Sequence, residues 1–308
     1  MNKIRIAIVG LGKIARDQHV PSIAANPHFE LVAVASPHHR LEGMPCYNSI
    51  EELLAKAPPI DAIAHCTTPQ VRYDIARYAL EHGCHVLLEK PPGATLTEVT
   101  ALATLARAQG LALFASWHSR HAAAVEAARA WLAVRTIRDI AVTWKEDVRV
   151  WHPSQRWIWE GGGLGVFDPG INALSILTSL LPEALVLKQA ELDFPSNCET
   201  PIAARLTLAH GAGTPVRVDL DFLQTGPQTW DIAVETDGGM LLLSMGGTKL
   251  AIDGQPVATP GAPEYASLYA HFALLVRERR VDVDLAPMQL VADALLAGRR
   301  RTVPPFVE

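Results

Sequence analysis

Short runs of β-branched and aliphatic residues alternate, over about the first 115 positions, with segments whose apolar residues recur at helical spacing. The pattern predicts strands at 5–9, 30–35, 62–66, 85–88 and 111–115, and helices at 71–81 and 96–108, with Thr95 and Thr97 as capping candidates. Strand and helix in strict alternation is the signature of crossover units on a parallel, doubly wound sheet. From about residue 138 the rhythm changes. Strand-like runs follow one another at 140–144, 185–192, 203–208, 216–222, 230–235 and 240–244, with Asp237-Gly238 as a hairpin turn between the last two. One helical pattern at 169–180 interrupts them, and helices at 269–279 and 287–297 close the chain. The expectation is an α/β domain at 1–119 and an open, largely antiparallel sheet with helices on one face, an α+β domain, at 120–308.

The 308 residues are 49% hydrophobic and 19% charged, enough apolar surface for a large core and against disorder. A formal net charge of -5 argues against a broad phosphate-binding surface; Arg299, Arg300 and Arg301 are a small local exception, and nucleic acid is not an expected partner. The first apolar run, at 6–9, is too short for a secretory signal, and no stretch approaches the roughly 20 apolar residues of a membrane span, so a cytoplasmic protein is expected. Cys46, Cys66, Cys84 and Cys198 lie far apart and form no Cys-x-x-Cys pair. Reduced thiols and no metal are expected.

Chemistry enters at Gly10-Leu11-Gly12-Lys13-Ile14-Ala15, directly after the first strand and opening a helix. In that context G-x-G-x-x-A calls for a tight turn at Gly10, close approach of a pyrophosphate at Gly12 and a small residue at Ala15. The helix N-terminus offers amide donors and a positive dipole end to phosphates, so the first domain reads as a dinucleotide-binding Rossmann domain. Strand two ends at Ser36-Pro37-His38-His39-Arg40, where an NAD-specific site carries an acid for the ribose hydroxyls. Ser36, His38 and His39 present no carboxylate to repel a 2'-phosphate, so NADP use is expected with NAD tolerated; the bland alternative is a solvated loop.

Lys90 stands at the carboxyl end of a predicted parallel strand, where ligands of open α/β sheets gather. A lysine there can donate to a reacting oxygen or, once desolvated, take its proton. The alternative is a surface pair of Lys90 with Glu89. Asp168 and Asn172 fall four apart on one helix face behind Gly161, Gly162, Gly163 and Gly165, glycines that let backbone approach a ligand. Asp168 can equally be a plain N-cap ahead of Pro169. Six of the seven tryptophans lie between 117 and 159; Trp131, on a helical stripe, reads as core, while Trp151 and the distant Trp230 read as ring-stacking or pocket-wall candidates. His118, Glu146 and His152 are near them in sequence and could bind hydroxyls.

The glycine motif together with HVLLEKPPG at 85–93 resembles the glucose-fructose oxidoreductase / inositol dehydrogenase (Gfo/Idh/MocA) superfamily. Within it, GLGKIARDQHVPSI, EKPPGATL, FASWHSR, WKEDVRVWHP, WIWEGGGLGVFDPGINALSI and VADALLAGRR resemble the bacterial L-arabinose / D-galactose 1-dehydrogenases over essentially the whole chain. The resemblance implies cofactor contacts from Gly10, Gly12, Lys13, Ile14, Ser36, His38, His39, Thr67, Pro69, Glu89 and Lys90. It implies catalytic roles for Lys90, Asp168 and Asn172, and sugar contacts from Lys90, His118, Glu146, Trp151, His152, Asp168, Asn172 and Trp230. It also implies hydride transfer from the anomeric carbon of an aldose to NADP or NAD, and a homo-oligomer, most simply a dimer. The wider superfamily commonly has a histidine four residues after the aspartate; here Asn172 stands there, and an amide takes up no proton at neutral pH. The base is then Asp168 or Lys90. Inositol or another cyclic polyol as substrate, and a non-catalytic nicotinamide-binding regulator, are the alternatives.

Overall fold

The computed structural model describes residues 2–211 and 213–308, and the chain divides into two compact units. The first contains strands β1 (Ile4–Val9), β2 (Phe29–Ala35), β3 (Cys46–Tyr47), β4 (Ala62–His65), β5 (His85–Glu89) and β6 (Leu113–Ser116). The second contains β7 (Ile137–Lys145), β8 (Leu185–Pro195), β9 (Ala203–His210), β10 (Thr214–Asp221), β11 (Thr229–Thr236), β12 (Gly239–Ser244), β13 (Lys249–Ile252) and β14 (Gln255–Val257). Two late strands, β15 (Val281–Asp282) and β16 (Arg299–Val303), add one edge to each sheet.

The first sheet runs β15-β6-β5-β4-β1-β2-β3 with every pairing parallel. Strand order reverses at β1, so the carboxyl ends of β1 and β4 flank the switch point where open α/β sheets bind ligands. Helices cover both faces, which is why positions 6–9 of β1 are a continuous buried apolar run rather than an alternating one. The helices in the first 118 residues are α1 (Val20–Ala25), α2 (Ile50–Lys56), α3 (Arg72–Glu81) and α4 (Leu96–Gln109). Thr95 caps α4: its hydroxyl accepts from Glu98 N at 3.2 Å while the Glu98 carboxylate accepts from Thr95 N, and Gly110 at φ 63° ends the helix. The second unit opens with α5 (Val125–Leu132), α6 (Val148–Trp151) and α7 (Phe167–Leu180).

The expected boundary at 119/120 is only half of the division. The first unit comprises Met1–His118 together with Glu264–Asp284, and the second Ser119–Pro263 together with Leu285–Glu308. The returning segment is α8 (Glu264–Glu278), which begins before the expected 269 and buries Tyr265, Leu268, Tyr269, Phe272 and Leu275 against Ile6, Ile8, Leu87 and Phe114 of the parallel sheet. Each of these side chains is worth roughly 1.5–3 kcal/mol of burial, so α8 belongs energetically to the first sheet.

The second sheet runs β14-β13-β12-β11-β7-β10-β9-β8-β16, antiparallel except where β10 meets β7 and β16 meets β8. Asp237-Gly238 turns the β11–β12 hairpin as expected, with Thr236 opposite Gly239. α7 and α9 (Ala286–Ala297) pack together, and α9 packs on β8. The short strands β13–β16 escape the sequence pattern. β16 reads Arg-Arg-Arg-Thr-Val and is paired by chemistry rather than apolar alternation: Arg301 makes a bidentate pair with Asp193 at 2.7 and 2.8 Å, and Arg300 lies over the Phe194 ring. Among the described residues, no helix is long and apolar enough to cross a membrane.

Candidate active site

The chain leaves β1 through Gly10 at φ +92°, where a Cβ would sit 2.7 Å from Thr67 N, so only glycine lets the turn after β1 lie against the turn after β4. Gly12 has nothing within 4 Å of a Cβ position. That open space at the amino end of the helical stretch 13–25 fits a pyrophosphate held by free amides, which is the demand the motif makes. Lys13 is exposed and paired with Asp17, Ile14 is exposed, and Ala15 is fully buried. A π turn, Ala15–His19, then widens the helix before α1 and carries His19 into the core.

After β2, the Ser36–Arg40 loop is bonded to itself. The buried Ser36 Oγ accepts from His39 N at 3.2 Å, and the Arg40 guanidinium donates to the carbonyls of Ser36 and His39 and to Asn48. Arg16, from the π turn, donates to Arg40 O at 3.2 Å and brings a second guanidinium to this loop. His38 and His39 are exposed.

Lys90 closes β5 and is half-buried. Glu89 is not its surface ion partner: Glu89 is 3% exposed and accepts from the Lys90 backbone N–H at 2.8 Å through Oε2. Its other oxygen, Oε1, accepts from the Tyr265 hydroxyl at 2.6 Å and from His19 Nε2 at 3.0 Å, while His19 Nδ1 meets the Tyr269 hydroxyl at 2.7 Å. Burial disfavours the Glu89 carboxylate, but the hydrogen bond and charge of His19, with His118 and Tyr265, hold its pKa below the usual carboxylate value. Burial likewise opposes the His19 imidazolium, and the Cys66 sulfur and the Glu89 carboxylate beside it outweigh that and raise its pKa. Burial first, and then Glu89 at Tyr265 and Cys66 at Tyr269, push both tyrosines well above their ordinary value, so both hydroxyls stay neutral. From the other face of the sheet the buried Arg72 guanidinium donates to the carbonyls of Glu89, Pro91 and Thr67. Lys90 is thus the end of a turn anchored on both sides. His65, at the end of β4, bonds Thr67 through Nδ1; burial and then Arg72 lower its pKa well below the usual value, and its buried Nε2 has no partner among the described residues. Pro69 is buried at the start of the turn before α3. His118 bonds Glu264 at 2.7 Å and stacks on Tyr265.

The second unit gathers the other candidates. Asp168 is not an N-cap: α7 starts at Phe167 behind Val166, which makes no side-chain cap, and Asp168 lies within the first turn, 3% exposed. Its Oδ2 is 3.7 Å from His152 Nδ1, and His152 Nε2 is 3.0 Å from Glu146 Oε1. Glu146, 2% exposed, accepts from the Trp230 indole N–H at 2.8 Å through Oε2. Trp230 lies between the buried Trp144 and Trp151, whose ring is 4.8 Å away and 41% exposed. Asn172, one turn beyond Asp168, is half-buried, and its amide makes no hydrogen bond among the described residues. The row Trp230–Glu146–His152–Asp168, beside an exposed indole and an open amide, offers acceptors, donors and an aromatic face together.

Two expectations are corrected here. Gly163 and Gly165 before α7 answer to the chain itself: a Cβ at Gly163 would meet Trp157 O at 2.3 Å, and one at Gly165 would meet Pro201 O at 2.2 Å. Trp131 is half-buried rather than core, with the Arg135 guanidinium 3.8 Å from its ring centroid.

The family profile described as "Oxidoreductase family, NAD-binding Rossmann fold", GFO_IDH_MocA, matches residues 4–116. A galactose 1-dehydrogenase of Pseudomonas fluorescens is 47% identical over the whole of both chains. The chain belongs to the Gfo/Idh/MocA oxidoreductases. The crystal structure of a D-galactose-1-dehydrogenase from Rhizobium etli superposes with a TM-score of 0.96 at 54% identity, covering 100% of this chain and 99% of that one. KijD10, a 3-ketoreductase from Actinomadura kijaniata solved with NADP and TDP-benzene, has a TM-score of 0.86 at 19% identity, covering 98% of this chain and all of that one, and shows the shared fold.

In this Gfo/Idh/MocA chain the glycine turn fits a nicotinamide dinucleotide, and a bound nicotinamide would supply the hydride acceptor. Sequence reasoning missed His19, Tyr265, Tyr269, Arg72 and Arg16. Tyr265 and Tyr269 are four apart on α8, a helical signal, but nothing in their spacing says that they meet a glutamate far away in sequence. Among the described residues, no group of three or more His, Cys, Asp or Glu is placed to hold a metal ion.

Proposed function

We propose that the chain oxidises the anomeric carbon of an aldose, L-arabinose or D-galactose, to the aldonolactone with NADP or NAD as acceptor. The observation that carries this reading is the buried carboxylate–imidazole row ending at Asp168, set beside the exposed Trp151 ring. Polar groups of that density suit sugar hydroxyls, and an indole face suits the weakly apolar side of a pyranose. The galactose 1-dehydrogenase name of a relative matched end to end supports it. Asp168 or Lys90 takes the anomeric hydroxyl proton as hydride leaves, and the Asn172 amide orients hydroxyls without exchanging protons. Gly10, Gly12, Lys13, Ile14, Ser36, His38, His39, Thr67 and Pro69 hold the cofactor in this reading. A panel of aldoses assayed with both cofactors tests it: L-arabinose and D-galactose should lead and D-glucose, epimeric at carbon 4, should trail. Glucose as best substrate overturns the assignment.

Cofactor preference rests on the Ser36 loop. Ser36→Asp keeps an acceptor for His39 N but puts a carboxylate where a 2'-phosphate would sit, so the ratio of kcat/KM for NAD over NADP is expected to rise by at least about tenfold, on the order of 1.4 kcal/mol of discrimination. An unchanged ratio would mean the phosphate is read elsewhere, with Arg16 as the next candidate. The open face of the second sheet, which carries ion pairs such as Arg217 with Asp139 at 2.7 Å, supports self-association as a dimer. Light scattering at micromolar concentration should give twice the 33.3 kDa chain mass, and a monomer peak would contradict it.

A further inference from the structure

We propose that His152 is the proton exit of the site: it accepts from Asp168 the proton that Asp168 takes from the sugar, and passes it to solvent. The proposal rests on the sugar-oxidation reading above and deepens it. Asp168 has a side chain only 4% exposed, so a proton gained there has no direct path to bulk water. The His152 side chain is 16% exposed and borders a small solvent-open cleft that Gln155, Arg156 and Glu308 also line.

The tautomer follows from the neighbours. Glu146 Oε1 is an acceptor, so in the neutral imidazole the hydrogen sits on Nε2 and the Nδ1 lone pair faces Asp168. Glu146 is held in turn by the Trp230 N–H. The two atoms stand 3.7 Å apart, longer than a hydrogen bond, so this arm of the row is open in the structure. Once Asp168 is protonated, its O–H becomes a donor to Nδ1 and the gap can close.

The balance of the step is complete. The anomeric O–H bond breaks and its proton bonds to an Asp168 oxygen, while the C1–H electron pair leaves as hydride to the oxidised nicotinamide and C1 becomes the lactone carbonyl. The Asp168 O–H bond then breaks and an N–H bond forms at Nδ1, giving imidazolium. That imidazolium gives a proton to water at the cleft. His152 acts through Asp168 and is a positioning and relay residue, which does the work that no proton acceptor at position 172 can do.

The test is His152→Gln in the full chain, assayed with saturating sugar and cofactor. The amide takes up and releases no proton at neutral pH, so kcat should fall by about 10- to 100-fold, at or below the usual range for a proton-transfer group. It should recover as imidazole is raised at fixed pH and ionic strength, with the sugar KM moved less than kcat. Glu146→Gln should behave alike: the new amide oxygen serves the Trp230 N–H, its NH2 faces His152 Nε2, and the imidazole hydrogen is forced to Nδ1, where it blocks acceptance. Nitrogen NMR of the histidine-labelled wild-type chain without sugar should give the Nε2-protonated tautomer. A wild-type-like kcat in His152→Gln overturns the relay, as does a loss confined to KM and insensitive to imidazole, which would make His152 a hydroxyl binder. An Nδ1-protonated resting tautomer also overturns it. A wild-type chain that reduces nicotinamide with no sugar removes the parent reading and the relay with it; an active wild type with an indifferent His152→Gln removes the relay alone.

Discussion

Asp168→Asn is expected to lower kcat by about a hundred- to ten-thousand-fold, the usual worth of a positioned general base, while leaving binding of the nicotinamide cofactor near its original strength. The fold should survive the change. Asp168 caps nothing, because α7 begins ahead of it, so the substitution removes no N-cap hydrogen bond. The acid in the first helical turn contributes about 0.3–1 kcal/mol against the helix dipole. An amide of the same shape cannot take a proton. Fluorescence titration with reduced cofactor and initial rates with saturating sugar separate the two effects. Near-normal turnover in Asp168→Asn would transfer the base to Lys90, and Lys90→Met would then be the variant that abolishes the rate.

How much of this was legible in the chain depends on the range of the interaction. The crossover half was readable because each strand of a parallel sheet buried on both faces is a continuous apolar run and each helix shows its own stripe, all local signals. Gly10 and Gly12 were readable because the motif that holds them is written within six residues, although the atom that excludes a Cβ at Gly10 belongs to Thr67, far off in sequence. Thr95 shows the same, since a capping box is written within four residues. Asp168 and Asn172 could be placed on one helix face by spacing alone, but whether Asp168 was a cap turned on where α7 starts, and boundaries are the weakest part of a pattern reading. Trp230 was legible as a pocket-wall aromatic, but its bond to Glu146 was not: the two are 84 residues apart and joined by the β7–β11 pairing. β16 was invisible because three arginines in a row carry no strand alternation; its place is set by Asp193, across a long sequence gap. The early part of α8 lay beyond reach for a related reason: the helix returns to a domain that the linear order had already closed.

The network around Glu89 is the clearest instance of a feature that the sequence hid, and it yields the second large effect. Glu89→Gln is expected to destabilise the first unit by about 3–5 kcal/mol, the usual result of removing one partner of a buried pair, and to lower its thermal midpoint by on the order of 10 °C. The carboxylate accepts from Tyr265, His19 and the Lys90 N–H. An amide has one oxygen, so with that oxygen toward Tyr265 and His19 its NH2 faces the Lys90 N–H, donor against donor, and leaves a buried group unsatisfied. The pH dependence distinguishes charge from shape. Glu89 has its folded pKa held below the ordinary 4.5, so its stabilisation is present in full above 4.5 and is lost as pH falls. His19 has its folded pKa raised above the ordinary 6.5, so its stabilisation is present in full below 6.5 and is lost as pH rises. The pair is therefore strongest between 4.5 and 6.5, and the difference in midpoint between wild type and Glu89→Gln should be widest in that window and narrow on either side. Hydrogen exchange of the β5 amides, which report on the first unit alone, should follow the same curve. A difference that stays constant from acid to alkaline pH would show that Glu89 contributes hydrogen-bond geometry and no net charge pairing. In that case the anchoring of Lys90 would rest on the Arg72 side of the turn, and Arg72→Met should then be the more damaging change.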